Sequence, residues 1–345
     1  MNLRSYIELL SSRRRLLRVA DEVECHLAVG EITRSCGTPV LFENLKGYQG
    51  WRLFTNGLCE HSLIGLALGL PPEATHGDIT RAFRDRISSP VQPCMVEDGP
   101  VYENINTNTA NLATLPVPHW HPRDGRRYLG TWHLNITRDP ENGSRNVGIY
   151  RMQLLSPTLA TVSTSPNSHL GRHVAKARRM GVPLPMAVAI GVGETAIMAA
   201  ASGSSSADEF EMAGGLSGKP LQLLKCKTIG LEVPADSEIV VEGFIQTDRR
   251  AQDGPYFDYT GTTNTNPHAF VFEVTGLMYR NDPIFRGASI GEPGAEDHQL
   301  FAALADVDLV DFHGLRIKQK LQSFALRERW FRTFQLMGRL GNPLS

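Results

Sequence analysis

The 345-residue chain has few cysteines, no excess of either charge and no long apolar run. Its five cysteines (Cys25, Cys36, Cys59, Cys94 and Cys226) are odd in number, scattered and free of any CxxC spacing, which argues against a disulfide framework and a zinc ribbon. A reducing compartment suits them. Lys and Arg number 35 against 36 Asp and Glu, so no global basic field recommends a duplex nucleic acid as partner, and a small molecule is the better expectation. No apolar stretch approaches the roughly 20 residues that cross a bilayer, and the opening MNLRSYIELLSSRRRLL lacks the apolar core and cleavage site of a secretory signal. These absences predict a cytoplasmic protein with no membrane span.

With 41% apolar residues the chain can build two cores, at about 100 to 200 residues per domain. Leu3, Tyr6, Ile7 and Leu10 have helical spacing, and Leu16 to Val23 alternates as a strand does. Helices are predicted at 28–35, 60–69 and 77–87, with a strand at Val40–Glu43. Five prolines and little periodicity between Ser89 and His121 set a boundary near residue 115.

Beyond it strands dominate. Thr131–Arg138 and Asn146–Leu155 flank the turn sequence Asp139-Pro-Glu-Asn-Gly143, which predicts a hairpin. A helix is expected from His169 to Gly181, then strands at 186–192, 221–227, 238–246, 269–279 and 284–289, the last two turning at Asn281-Asp282. The expected architecture is α+β: an α+β domain over 1–115, a barrel-like domain over 116–305 and a helical tail over 306–345. In that tail seven basic residues between His313 and Ser345 face one acid, with Leu326, Trp330, Phe334 and Met337 at helical intervals.

Four local patterns could carry chemistry. Arg151, in Asn146-Val-Gly-Ile-Tyr-Arg151, could clamp a carboxylate or phosphate through its planar fork, though an exposed ion pair is the commoner use of an arginine. Asn146 and Arg151 differ by an odd number, so an ideal strand would point them to opposite faces unless a bulge at Gly148 intervenes. His169 and His173 lie four apart on one helical face, a spacing that can hold a metal, but Leu170 stands where zinc proteases place a glutamate. Asp208-Glu-Phe-Glu211 reads as acids at a helix start, favoured there by the helix dipole whether or not they bind anything. In Asp253-Gly-Pro-Tyr-Phe-Asp258 two acids bracket a Gly-Pro turn, and neighbouring carboxyls can divide into a protonated acid and an ionised partner.

In order and spacing these segments resemble the UbiD-like decarboxylases, which use prenylated FMN. The likeness runs from Leu3 to about residue 300 and includes Gly37-Thr-Pro-Val-Leu-Phe-Glu-Asn44, Leu115-Pro-Val-Pro118, Leu221-Gln-Leu-Leu-Lys-Cys226, Val233-Pro-Ala-Asp-Ser-Glu-Ile-Val-Val-Glu-Gly243 and Asp253-Gly-Pro255. The resemblance implies a split β-barrel-like flavin domain in which Asn146, His169 and Glu209 hold a divalent metal, usually manganese, against the flavin phosphate. It implies potassium at Glu209 and carbonyls near Ala199 and Ala200. Gly148, Ile149, Tyr150, Arg151 and Ser168 would complete the flavin contacts.

Arg151, Asp253 and Asp258 correspond to the family's catalytic arginine and two acids, although the first acid is usually Glu and Phe257 replaces a common Gly. The implied reaction is reversible, non-oxidative loss of carbon dioxide from an α,β-unsaturated or aromatic carboxylic acid, completed by a proton from an acid. The implied partners are a flavin prenyltransferase as cofactor supplier and either further copies of the chain or a separate chain. The last alternative arises because family members usually continue beyond Gly291–Glu296 into another α/β domain. A non-catalytic flavin-binding subunit is the competing expectation, and a metal hydrolase built on His169 and His173 a third.

Overall fold

A computed structural model describes residues 1–202 and 208–311. The basic amphipathic helix expected over the carboxyl-terminal residues lies outside them. The amino-terminal part runs α1 (Leu3–Ser12), β1 (Leu17–Val23), α2 (Ala28–Cys36), β2 (Val40–Leu45), β3 (Arg52–Thr55), α3 (His61–Ala67) and α4 (His76–Ile87). Next come β4 (Cys94–Met95), β5 (Asn104–Asn106), β6 (Tyr128–Gly130), β7 (His133–Arg138), β8 (Arg145–Gly148), β9 (Met152–Ser156), β10 (Leu159–Val162), α5 (His169–Arg179) and β11 (Leu184–Ile190). The remainder is α6 (Glu194–Ala201), α7 (Glu209–Ser217), β12 (Gln222–Lys225), β13 (Glu232–Pro234), β14 (Ile239–Phe257), β15 (Thr263–Tyr279), β16 (Ile284–Arg286) and α8 (Glu296–Asp311).

Helix α1 follows its sequence signal. Asn2 caps it by accepting the Ser5 amide, and Leu3, Tyr6, Ile7 and Leu10 are the buried face. Tyr6 keeps its hydroxyl satisfied inside the core by donating to the Gly57 and Leu63 carbonyls. Helix α4 begins with a reciprocal cap in which Thr75 and Asp78 serve each other's backbone amides. The alternation read in β1 has no counterpart in burial, because β1 is an edge strand with only Val23 buried.

A large antiparallel sheet in the order β6-β9-β10-β15-β14-β11-β7-β8, with β5 on β15, curls into a half-barrel. The expected hairpin forms: β7 pairs with β8 through Thr137 opposite Asn146 and Asn135 opposite Gly148, and Gly143 supplies the positive φ of the turn. Two expectations change. The residues around Asp253 are not a free turn, because β14 runs through them and pairs with β15 as far as Phe257. Pro255 is accommodated where the register shifts between Asp253 and Tyr256, so no ladder bond is lost to its missing N–H. Strand β16 is not the hairpin partner of β15. It pairs in parallel with β3, completing the sheet β1-β2-β3-β16 from the far side of the half-barrel.

That return places Arg286 at the centre of the molecule. Its guanidinium, 1% exposed, grips Glu296 with two nitrogens at 3.0 and 2.6 Å and reaches Glu194 with a third at 2.9 Å. The arginine lies against the rings of Phe54 and Trp132, each 5.1 Å away. Glu296 also accepts the backbone amides of Asn56 and Leu58, and Glu194 accepts the Trp132 indole N–H. Buried charges endure only when paired and hydrogen-bonded on every side, as these are. Arg286→Met is expected to destabilise the fold by about 3–5 kcal/mol, because two carboxylates lose their counter-ion in a dry site. Urea unfolding of variant and parent measures it, and a midpoint unchanged from the parent would contradict the assignment.

Candidate active site

The half-barrel opens beside α6 and α8 into a cleft of ≈ 700 Å³ whose lining includes Trp132, Tyr150, Arg151, Ala200, Tyr256 and Asp258. Strand β8 stops at Gly148, and residues 149–151 cross from one end of the sheet toward β9. The odd spacing of Asn146 and Arg151 is therefore resolved by a break in the strand, not by a bulge. Gly148 has a different duty: a Cβ there would stand 2.6 Å from the Tyr150 ring, so glycine is what lets that ring fold back over the strand end. The Tyr150 amide is held by the Asn135 side chain at 2.9 Å, and the Arg151 carbonyl accepts the Ser163 amide.

Arg151 reaches across the cleft floor. Its Nε donates to Asp253 Oδ1 at 2.6 Å, and its guanidinium lies 5.0 Å from the centre of the Tyr256 ring. Asp253 is fully buried, and its second oxygen accepts the Thr161 hydroxyl at 2.5 Å. Burial raises the Asp253 carboxyl above its ordinary range, while Arg151 and the Thr161 hydrogen bond pull it back. Asp258 lines the same cleft but is occupied locally: it accepts the Thr260 amide and hydroxyl and the Asn264 side-chain amide.

A second cluster gathers around the Tyr150 hydroxyl. The Leu170 amide, in the first turn of α5, lies 3.4 Å from it, and the polar side chains of Asn146 and Ser168 are near enough to favour its ionised form against the burial that raises its pKa. Ser168 caps α5 by accepting the Gly171 amide, which fixes the start of the helix and so places His169 at its first position. Glu209 opens α7 and accepts the Val147 amide at 3.1 Å, bringing its carboxylate to the strand that carries Asn146. Asn146 is 3% exposed and its side-chain Nδ2 has no hydrogen-bond partner, an unusual cost inside a fold. Burial pushes the Glu209 carboxyl up to about 7.

The two histidines part company. His173 Nδ1 meets the Thr137 hydroxyl at 3.0 Å, its Nε2 lies 3.9 Å from Asp139, and burial lowers its pKa to about 4. It therefore ties α5 to β7, and the expectation of a paired His169–His173 metal site has no geometric support. Among the described residues no group of three or more His, Cys, Asp and Glu is placed to hold a metal. The set at Asn146, His169 and Glu209 contains only two of those types and an amide. Ala200 lines the cleft, whereas Ala199 is fully buried and its carbonyl accepts both the amide and the hydroxyl of Ser202. With both lone pairs engaged, Ala199 has none left for a cation.

Sequence reasoning missed several cleft residues, among them Trp132, Tyr256, Tyr259, Leu300 and Phe301. It also missed Asp297, although the segment Gly291–Glu296 had been singled out one residue short of it. An acid in the first turn of a helix was the available signal.

With this geometry in hand, likeness to known proteins is informative. Residues 7–83 match the 3-octaprenyl-4-hydroxybenzoate carboxy-lyase N-terminal domain and residues 94–293 the Rift-related domain of the same carboxy-lyase. The chain belongs to the UbiD family. It is 30% identical over 328 residues to the pyrrole-2-carboxylic acid decarboxylase of Pseudomonas aeruginosa, covering 90% of this chain and 66% of that one. It is 31% identical over 312 residues to a phenolic acid decarboxylase of a Streptomyces species, covering 86% and 65%. Among solved structures, the UbiD-class enzyme HmfF of Pelotomaculum thermopropionicum, in an evolved dimeric form in complex with prFMN, matches with a TM-score of 0.83 at 30% identity, covering 90% and 72%. The vanillic acid decarboxylase of Sedimentibacter hydroxybenzoicus in closed form gives 0.83 at 27%, covering 88% and 67%. The chain thus spans about two thirds of the length of the curated relatives it matches. No helix among the described residues is long and apolar enough to cross a membrane.

The Arg151–Asp253 pair is open to a structural test. Asp253→Asn preserves shape but leaves the guanidinium without its counter-charge, and a loss of about 1–3 kcal/mol is expected. Chemical denaturation measures it, and a variant as stable as the parent at neutral pH would mean that the pair contributes nothing.

Proposed function

We propose that this chain is the flavin-holding part of a carboxy-lyase that removes carbon dioxide, reversibly and without net oxidation, from an α,β-unsaturated or aromatic carboxylic acid. The observation that carries the reading is the convergence of Arg151, braced by buried Asp253, on a cleft that adjoins the Asn146–Tyr150–Ser168 cluster. The decarboxylase relatives and the prFMN-bound neighbour supply the chemical class.

Asn146, His169 and Glu209 fit a divalent cation such as manganese. The buried Glu209 carboxylate is a group that a bound cation would satisfy, the partnerless Asn146 Nδ2 is a donor that a phosphate oxygen would satisfy, and oxygen with imidazole suits a hard or borderline metal. Glu209 and backbone near Ala200 are the remaining candidates for potassium. Gly148, Ile149, Tyr150 and Ser168 would flank the flavin and its phosphate. Prenylated FMN, made by a prenyltransferase, supplies the electron sink that decarboxylation needs. Arg151 holds the substrate carboxylate by charge-assisted hydrogen bonds, Asp253 fixes the direction of that guanidinium, and the apolar walls exclude water. The assembly is a homo-oligomer or a pair with a chain that supplies further structure. A non-catalytic flavin-binding subunit is the second reading.

Purified chain supplied with cofactor and manganese is expected to release carbon dioxide from at least one member of a panel of cinnamic, hydroxybenzoic and pyrrole-carboxylic acids. Arg151→Ala should lower that release at least about 100-fold while flavin absorbance is retained. An alanine variant with full turnover would refute Arg151 as the substrate clamp, and turnover by the chain alone would dispose of the non-catalytic reading. Because the Glu209 carboxyl in the metal-free protein lies at about 7, manganese uptake should release a proton and weaken as pH falls below that value. Calorimetry in two buffers of different ionisation heat reads the proton, and uptake unchanged in Glu209→Gln would exclude this carboxylate as a ligand.

A further inference from the structure

Asp253 is held by more than Arg151. Thr161 on β10 and Gln153 on β9 close a network around it, and none of the three is more than 1% exposed. Thr161 Oγ1 donates to Asp253 Oδ2 at 2.5 Å and accepts the Gln153 backbone amide at 3.1 Å. The Gln153 side chain grips both peptide groups that flank the aspartate: its Oε1 accepts the Gly254 amide at 2.8 Å, and its Nε2 donates to the Gln252 carbonyl at 3.3 Å. The Tyr128 hydroxyl donates to the same Oε1 at 3.1 Å. Gln252 and Gly254 are two apart, so their backbone groups point to one edge of β14, while Asp253 stands opposite Asn266 of β15 on the other.

Counting hydrogens fixes the charge. A hydroxyl has one to donate. The Gln153 amide donates to Thr161, so the Thr161 hydrogen goes to Asp253, which is its only acceptor among the described residues. On its other oxygen Asp253 accepts from Arg151 Nε. A proton on Asp253 would turn one of these contacts into a meeting of two donors, and in a site closed to water the displaced hydrogen has no acceptor. Burial works the other way and raises the carboxyl, while Arg151 and the Thr161 hydrogen bond oppose it. Among the described residues, the charged and titratable groups around the aspartate are Arg151 and, from β6, Tyr128, with Tyr256 beyond the guanidinium. Strands β9, β10 and β15 bring the uncharged Gln153, Thr161 and Asn266.

We propose that Thr161, backed by Gln153, is a positioning residue of this site: by committing its hydroxyl hydrogen to Asp253 it holds that carboxyl as an anion, and the anion keeps Arg151 aimed at the substrate carboxylate. The assignment rests on the decarboxylase reading above. Thr161 touches neither substrate nor cofactor in this role and acts only through the aspartate. The active form has Asp253 ionised, so kcat/KM falls as pH drops through the Asp253 pKa. Removing the hydroxyl takes away a hydrogen bond to the charged form, which moves that decline to higher pH.

Two measurements test it. In the loaded enzyme, Thr161→Val, which keeps the shape and loses the hydroxyl, should move the acid decline of kcat/KM upward by about 1–2 pH units, so that activity lost at neutral pH is regained as pH rises. Thr161→Ser, which keeps the hydroxyl, should retain the parent's profile. In infrared difference spectra of the cofactor-free protein at neutral pH, the band lost on Asp253→Asn should be that of an ionised carboxylate, and Thr161→Val should convert it to a protonated-carboxyl band at the same pH. A valine variant whose acid decline coincides with the parent's, or a loss that no rise in pH restores, overturns the assignment. If Thr161→Val does not fold, the parent still decides: a protonated-carboxyl band at neutral pH that disappears in Asp253→Asn overturns it equally. A parent chain that releases no carbon dioxide from any acid of the panel removes the decarboxylase reading and the kinetic role with it, while the infrared comparison independently reports the charge of Asp253.

Discussion

The three-way contact of Arg286 with Glu194 and Glu296 is the constraint on which the site depends. Each partner sits at the first residue of a helix, α6 and α8 respectively, and the arginine ends the strand that returns to the amino-terminal sheet. One guanidinium therefore sets the start of two helices against one sheet. Trp132, which donates to Glu194, and Asp297, which follows Glu296, both line the cleft. The polar cluster behind the wall orients the wall itself. A buried ion group is expensive to assemble, and one with every partner matched tolerates little rearrangement, which suits a surface that must hold a substrate at fixed distances.

A division of labour follows from the half-barrel. The break after Gly148 sends a short segment across the open side of the sheet, carrying Tyr150 toward the start of α5 and Arg151 toward β14. Consecutive residues thereby serve different ends of one cleft: the tyrosine meets the Asn146 and Ser168 cluster, and the arginine meets the buried aspartate. Within the UbiD family the chain has the two parts that build this arrangement.

Much of this was readable from residues alone, for local reasons. Apolar periodicity marked α1, and turn chemistry at 139–143 marked the β7–β8 hairpin, because in each case the signal and the structure lie in one short contiguous stretch, 3–12 and 133–148. The joint spacing of Asn146, Arg151, His169 and Glu209 named the family, although no one of them was persuasive singly. What escaped was long-range. The continuity of β14 through Pro255 depends on a register shift against β15, and the fate of β16 depends on β3, more than 200 residues earlier. His173 has a spacing from His169 that can hold a metal, but Thr137 and Asp139 engage it, a packed role that its sequence position alone could not distinguish. Asp297 was passed over because a helix-start acid is ordinary, and only its bare oxygen and burial distinguish it.

The late return of β16 to the first sheet also bears on how such a chain can be inherited. A sheet whose fourth strand is encoded far downstream of its first three cannot be copied, exchanged or inserted elsewhere as one contiguous stretch. A recombination point between the first three strands and Arg286 would strand the arginine's sheet in one product and its binding partners' neighbours in the other. The stretch from β1 to β16 is therefore expected to be transmitted whole.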